Sequence, residues 1–349
     1  MNEIPLTTQT LYAELLEQLT IFEANRSIGH LRGGFTTKKS GDNLYYYFQY
    51  SEPGGERKQV YIGKKSPAIL KLVELHKQNQ EHATADRKEI ERLCAQIRAG
   101  GAVVTTSGQA RVLRALADAG VFRMGGVLVG TNAFAAMGNM LGYRWEKAGI
   151  QTADVDIVPE RNLDIALPTQ AKINIKDTLD KLKLGFFPVP TMDRESESTS
   201  YKVRKKELRV DVLTPAKKTE ENYRPVKVPG FETSAQALPY LDFLIEQSHP
   251  AAIINGGGIL VNIPDPARYA LHKLIVSRER PITEQGKKKK DLRQASLLIE
   301  ILYEERPGDL QLAWEALQKR GASWKRKART GYDDLLKFHP ETPDVLGRQ

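Results

Sequence analysis

The sequence is poor in the residues that cross-link a fold or bind soft metals. Cys94 is the single cysteine in 349 residues. A lone cysteine forms no internal disulfide and excludes a cysteine-based zinc site. Beside Leu93 and Ile97 it reads as a packed, inert thiol. The six histidines, His30, His76, His82, His249, His272 and His339, lack metal-ligand spacing relative to one another. No apolar run reaches the roughly 18 residues that span a bilayer, so no membrane partner is expected. The opening MNEIPLTTQTLYAELL lacks the basic-then-apolar order of a secretory signal, and a reducing cytoplasm is the expected compartment. Also missing are Gly-x-Ser-x-Gly, a Walker-type Gly-Lys-Ser/Thr and His-Glu-x-x-His.

What is present is an ordinary globular mixture, 40% hydrophobic and 27% charged. That is enough apolar material for a core, and the length suggests two or three domains. The formal net charge is +9. Residues 268–330 hold 16 basic and 8 acidic residues, so this segment carries most of the excess. Such a field draws polyanions, among them nucleotides and nucleic acid.

The spacing of Leu11, Leu15, Leu19 and Phe22 predicts a helix over 7–25. Residues 33–65 read as two or three short strands with turns at 39–42 and 53–55. Tyr45, Tyr46, Tyr47, Phe48 and Tyr50 make this the most aromatic stretch. With Lys38, Lys39, Arg57 and Lys58 nearby it suits nucleic-acid stacking, although packing against flanking helices accounts for the same aromatics. Residues 66–100 predict an exposed helix or a two-helix arm, and a short helix follows at 108–119. Strands are expected at 125–130, 152–158, 184–190, 199–205, 207–213 and 237–245, with helices at 131–142 and 173–182. A loop is expected at 215–230. A hairpin over 251–263 turns at Asn255-Gly256-Gly257-Gly258, which reads as a turn rather than a phosphate loop. Helices at 266–279, 288–305, 309–319 and 330–337 finish the chain. The division expected is 1–105, 106–263 and 264–349: an N-terminal helix with a small antiparallel sheet and helical arm, a catalytic domain, and a C-terminal helical domain.

Three features carry chemistry. Gly130-Thr131 stands where a buried strand runs into a helix, and backbone N–H groups there suit a phosphate. In Asp154-Val155-Asp156 the alternation of a strand places both carboxylates on one face. Adjacent carboxylates raise one another's pKa unless a cation lies between them, which suits one or two Mg²⁺ ions carrying a nucleoside triphosphate. Asp211 is a lone acid in the apolar strand Leu208-Arg209-Val210-Asp211-Val212. It completes a triad if the two strands are neighbours. Asp164 competes for that role from a loop.

This order of strand, Gly130-Thr131, helix, Asp154-x-Asp156 and a strand with Asp211 resembles the nucleotidyltransferase superfamily of DNA polymerase β-like fold. Members place Gly-Ser or Gly-Gly before a helix, then Asp-x-Asp or Asp-x-Glu, then a third Asp. Here Thr131 replaces the Ser or Gly and keeps a hydroxyl, and 22 residues separate it from Asp154. The stretches 33–66, 127–142, 152–157, 255–280 and 288–302, about two-thirds of the chain together with their surroundings, look closer to one bacterial subgroup of stand-alone proteins with this fold. The resemblance implies an α+β fold: a mixed sheet with flanking helices. It also implies Asp154, Asp156 and Asp211 as catalytic residues and ligands of Mg²⁺ or Mn²⁺, and Gly130, Thr131, Arg268 and Lys273 as nucleotide-binding. Lys273 lies off the apolar stripe of Ala267, Leu271, Leu274 and Ile275, so it is suited to face either solvent or the site. Lys290 and Asp291 open the next helix and are placed to face the cleft.

The activity implied is transfer of a nucleoside monophosphate from an NTP, ATP among the candidates, to an acceptor hydroxyl with release of pyrophosphate. The basic C-terminal helices and the aromatic N-terminal sheet favour tRNA or another RNA as acceptor over a protein or small molecule. Small bacterial relatives add, by analogy alone, a toxin–antitoxin or defence role and a regulatory protein partner. Two readings compete. One is a catalytically silent fold that binds nucleic acid or regulates. The other is a metal-dependent nuclease, disfavoured because no lysine stands two residues after Asp211.

Overall fold

A computed structural model describes residues 1–26, 33–52, 54–146, 152–159, 173–190, 198–216 and 225–346. In chain order the elements are β1 (Asn2–Glu3), α1 (Leu6–Ala24), β2 (Gly33–Ser40), β3 (Asn43–Ser51), β4 (Arg57–Lys64), α2 (Pro67–Ala99), α3 (Ser107–Ala119), β5 (Val127–Val129), α4 (Gly130–Leu141), β6 (Tyr143–Arg144), β7 (Asp154–Val158), α5 (Ile175–Asp180), β8 (Phe186–Pro188), β9 (Ser200–Val203), β10 (Arg209–Pro215), β11 (Pro225–Val228), β12 (Thr233–Leu238), α6 (Leu241–Ile245), β13 (Ser248–Ile253), β14 (Ile259–Pro264), α7 (Pro266–Glu279), α8 (Gln285–Glu305), α9 (Pro307–Gln318) and α10 (Ala322–Phe338). This is an α+β fold. Among the described residues no helix is long and apolar enough to cross a membrane.

Local chemistry sets several boundaries. The Ser66 hydroxyl accepts the Ile69 N–H and Pro67 takes the first turn, so α2 starts there. The Asp265 carboxylate accepts the Arg268 N–H ahead of Pro266, and α7 starts likewise. Of the two forms expected for 66–100, the single helix is the one present: Pro67–Ala99 is one 33-residue helix, with no glycine or proline between its ends. Two expectations change. The strand expected at 237–245 is instead β12, which stops at Leu238, followed by α6. Tyr240 adopts φ +64° between them, ending the extended run, and Leu241, Phe243 and Leu244 then bury on one side of a short helix. The loop expected at 215–230 contains β11.

The central sheet runs β11-β12-β10-β7-β5-β14-β13, with β9 pairing β10 and β8 pairing β9. β10 is parallel to β7 and β12, and β5 is antiparallel to β7. β13 and β14 form the expected hairpin. Its turn carries Gly256 at φ +50° and Gly258 at φ +54°, conformations that glycine adopts without steric cost. A separate sheet has the order β2-β3-β4.

Val155, Ile157, Val210 and Val212 are buried, so the alternate residues of β7 and β10 project to the other face. The main core joins these four side chains to Phe134 and Trp145 and continues through Tyr269, Leu274, Leu298 and Leu335 to Leu346. It is thus continuous across residue 263. A second cluster docks α1 through Tyr12, Leu15 and Leu19 onto Ile90, Leu93 and Ile97 of α2 and Ala252 of β13. Each fully buried apolar side chain there contributes about 1.5–3 kcal/mol. Cys94 lies in this cluster, its thiol pushed up to about 11 chiefly by burial.

Candidate active site

The register of β7 and β10 places Asp211 opposite Asp156 and Arg209 opposite Asp154. In parallel strands such partners share a face, so the two strands present Asp154, Asp156, Asp211 and Arg209 together. β5 lies on the other side of β7 with Val129 opposite Asp156. Gly130 follows at φ +67°, and a Cβ built on it would stand 2.2 Å from Asp156 Oδ2. The space that a Cβ would take is filled by the carboxylate, and only glycine satisfies both the backbone angle and that contact.

The head of α4 is tied in place from several sides. The Tyr269 hydroxyl of α7 lies 3.0 Å from the Gly130 carbonyl oxygen and 3.1 Å from Gln294 Oε1. The Asn132 amide donates to the Asp154 carbonyl at 2.6 Å, and the Gln109 amide donates to Asn132 and to the Thr152 carbonyl. These bonds hold the backbone on which Asp154 sits. Thr131 is half-buried in the first turn of α4.

The electrostatics follow from crowding acids on a half-buried face. Burial pushes the Asp156 carboxyl up to about 7, helped by Asp211 and Asp154 and opposed by Lys273 and Arg209. Asp154 is also raised, first by burial and then by Asp211, against Arg209, Lys287 and Lys290. The Arg209 Nε donates to Asp211 Oδ1 at 2.8 Å and to Ser200 Oγ at 2.8 Å. Lys290 is lowered by burial and by Lys273, with Asp291, Asp154 and Asp156 opposing.

Lys273 does not point to solvent. Its ammonium meets Asp291 Oδ1 at 2.6 Å and lies 5.2 Å from the Tyr269 ring centre. Burial opposes its charge, but Asp291 holds it above the usual lysine range. Arg280 Nε binds the other oxygen of Asp291 at 2.9 Å. Arg268, expected at the nucleotide, lies elsewhere: directly before Tyr269 on α7, it faces α6, where it donates to the Phe243 carbonyl at 3.1 Å and pairs with Glu246 at 2.5 Å. That buried anchor leaves it apart from the carboxylates. Asp164, the competitor for Asp211, lies outside the described residues.

Sequence reading missed Arg209, Tyr269, Asn132 and Lys287. Arg209 was legible, standing two residues before Asp211 and so on its face. Tyr269 was legible as the residue one turn before Lys273. Nothing local marked Asn132 or Lys287.

An all-carboxylate, all-oxygen donor set is the chemistry that Mg²⁺ and Mn²⁺ take, and the raised Asp156 marks a place where a cation relieves repulsion. Among the described residues no three acidic, histidine or cysteine side chains form a metal-ligating group, and Asp211 is paired with Arg209.

Comparison with curated proteins gave no match. Among solved structures the chain is similar to an antigenic nucleotidyltransferase-like protein from Paracoccidioides brasiliensis, at 14% identity and TM-score 0.32, over 62% of this chain and 88% of that one. Residues 107–319 match the sequence pattern of a family described as nucleotidyltransferase. That span holds Gly130, Asp154, Asp156, Asp211, Lys273 and Lys290, and on it the chain belongs to the nucleotidyltransferase family.

Proposed function

We propose that the protein transfers a nucleoside monophosphate from an NTP to an acceptor hydroxyl and releases pyrophosphate. The acceptor oxygen forms a bond to the α-phosphorus, the bond from that phosphorus to the β-phosphate oxygen breaks, and pyrophosphate carries the electrons away. The observation that supports this best is the register that stacks Asp154, Asp156 and Asp211 on one face against the head of α4. Asp154 and Asp156 would hold Mg²⁺, which supplies charge neutralisation for the triphosphate. Asp211 would take the acceptor proton once Arg209 exchanges its partner. The N–H groups of Gly130 and Thr131, with Lys290 and Lys287, are suited to the phosphates in place of Arg268. Lys273, fixed by Asp291, keeps a positive charge beside Asp156. RNA, tRNA first, is the acceptor class favoured by the charge of the C-terminal helices.

The test incubates the protein with Mg²⁺, each of the four α-³²P-labelled NTPs, and total tRNA and protein, beside Asp154→Ala/Asp156→Ala. Label entering one fraction and lost in the double variant is the expected result. The Arg209–Asp211 pair favours one other reading, a catalytically silent nucleic-acid-binding fold. That reading predicts no label from either protein and equal binding by both.

A further inference from the structure

The small sheet β2-β3-β4 divides its aromatic side chains between two environments. On one face Phe35 and Phe48 enclose His76 of α2, with ring centres at 5.3 and 5.4 Å. Tyr46 is buried. On the other face the cross-strand rungs are Lys38–Tyr45–Lys64, Thr36–Tyr47–Tyr61 and Gly34–Gln49–Gln59. Tyr47 and Tyr61 meet edge to face at 5.4 Å, Tyr45 lies 6.3 Å from Tyr61, and the Lys38 ammonium stands 4.7 Å over the Tyr47 ring. Tyr61 is 55% exposed. The three strands contain Lys38, Lys39, Arg57, Lys58 and Lys64 and no acidic residue.

We propose that this tyrosine face binds single-stranded nucleic acid. Aromatic rings on an open sheet stack unpaired bases, and lysines at their rim take the phosphates. Gln49, Gln59 and Thr36 add polar groups for base edges. A duplex offers no unpaired base to the rings. An anionic lipid surface would call for an apolar rim, whereas this one is amide and hydroxyl.

The face does not end in solvent. Thr36, Gln49 and Arg57 also line a cleft of about 1180 Å³, above the ~300–1,000 Å³ of an ordinary small-molecule pocket. Arg111 and Arg114 of α3 line the same cleft. Arg111, whose guanidinium donates to the Leu182 carbonyl at 3.1 Å, also borders a second hollow of about 420 Å³. That hollow is lined by Thr152, Ala153 and Leu208, the chain neighbours of Asp154 and Arg209. Arg111 thus borders both hollows, and Glu23, Glu52, Glu91 and Asp118 line the first one as well. Binding of a strand to the sheet does not depend on the transferase reading above.

The test is fluorescence anisotropy with a 5′-labelled 15-nucleotide oligo(U) at several salt concentrations and no NTP. Tyr47→Ala/Tyr61→Ala is expected to weaken binding about tenfold or more, while Tyr47→Phe/Tyr61→Phe keeps it. Lys38→Gln is expected to flatten the salt dependence by about 0.7 in log–log slope. Tyr61→Ala alone, at the most exposed ring, guards against a folding defect, and unchanged circular dichroism confirms it. A blunt RNA duplex of equal length is expected to compete poorly. Absence of oligo(U) binding by the natural protein at 50 mM salt overturns the proposal. So does equal binding by the alanine variants, or equal competition by the duplex. Asp154→Asn/Asp156→Asn is expected to bind oligo(U) undiminished, so a silent transfer assay leaves this proposal standing and a failed binding assay leaves transfer to other acceptors standing.

Discussion

Replacing Gly130 by alanine tests the packing of the site most directly. Two costs add. At φ +67° a Cβ costs about 1–2 kcal/mol against its own carbonyl. The same Cβ would stand 2.2 Å from Asp156 Oδ2, so the carboxylate has to withdraw by about 1 Å to reach ordinary contact. It moves within a site already crowded by Val129 and Asp211, which costs a further ~1–2 kcal/mol, typical of an overpacked interior. Urea unfolding is therefore expected to show Gly130→Ala less stable by about 2–4 kcal/mol. Transfer is expected to fall on the order of 10²-fold, since a misplacement of about 1 Å at reacting groups has that effect. The second half of the experiment repeats Gly130→Ala in an Asp156→Ala background. With the carboxylate gone only the backbone cost of about 1–2 kcal/mol should remain, and the difference between backgrounds is the contact itself. A Gly130→Ala protein within 0.5 kcal/mol of natural stability refutes the argument. Equal costs in the two backgrounds refute the contact.

Other outcomes follow from the ion pairs. Asp291→Ala strands the buried Lys273 and the Arg280 guanidinium and is expected to cost about 3–5 kcal/mol in urea unfolding. Arg268→Met is expected to lower stability through loss of its Phe243 and Glu246 partners by about 2–3 kcal/mol, while the KM for NTP stays unchanged, because Arg268 stands apart from the carboxylates. Asp334 feels burial, yet Lys288, Lys337 and Arg278 hold its folded pKa below the ordinary carboxylate value. Its stabilisation is thus present above the unfolded pKa of about 3.9 and disappears as pH falls through the folded value. Asp334→Asn is expected to be less stable than the natural protein at pH 6, with the gap closing toward pH 2 in thermal melts.

Much of the site was readable because it depends on short-range patterns. Strand alternation alone put Asp154 and Asp156 on one face, and Gly130 stood at a strand-to-helix junction. Asp211 needed more, since its role depends on β10 lying parallel beside β7 in the one register that sets it opposite Asp156. The sequence motivated that pairing only through family resemblance. Arg268 misled for a local reason. It and Lys273 lie on the same helix, but five residues on a 3.6-residue turn put them on different sides, one toward α6 and one toward Asp291. The strand expected at 237–245 failed because apolar residues run through both β12 and α6, and the break between them is a single backbone angle at Tyr240. The aromatic stretch was readable as a sheet, but which rings face α2 and which stay open is decided by register.

The core that runs unbroken from Ala110 to Leu346 bears on how such a chain can be rearranged. The residues that line the site come from positions 130, 154, 211, 273 and 290, and the same helices that bring the last two also close the apolar interior. Cutting the chain after β14 would remove Lys273 and Lys290 and bare the inner side of the sheet at once. The C-terminal helices therefore share one apolar interior with the sheet, and a chain cut after β14 is expected to lose its lysines beside the carboxylates and the cover of its sheet together.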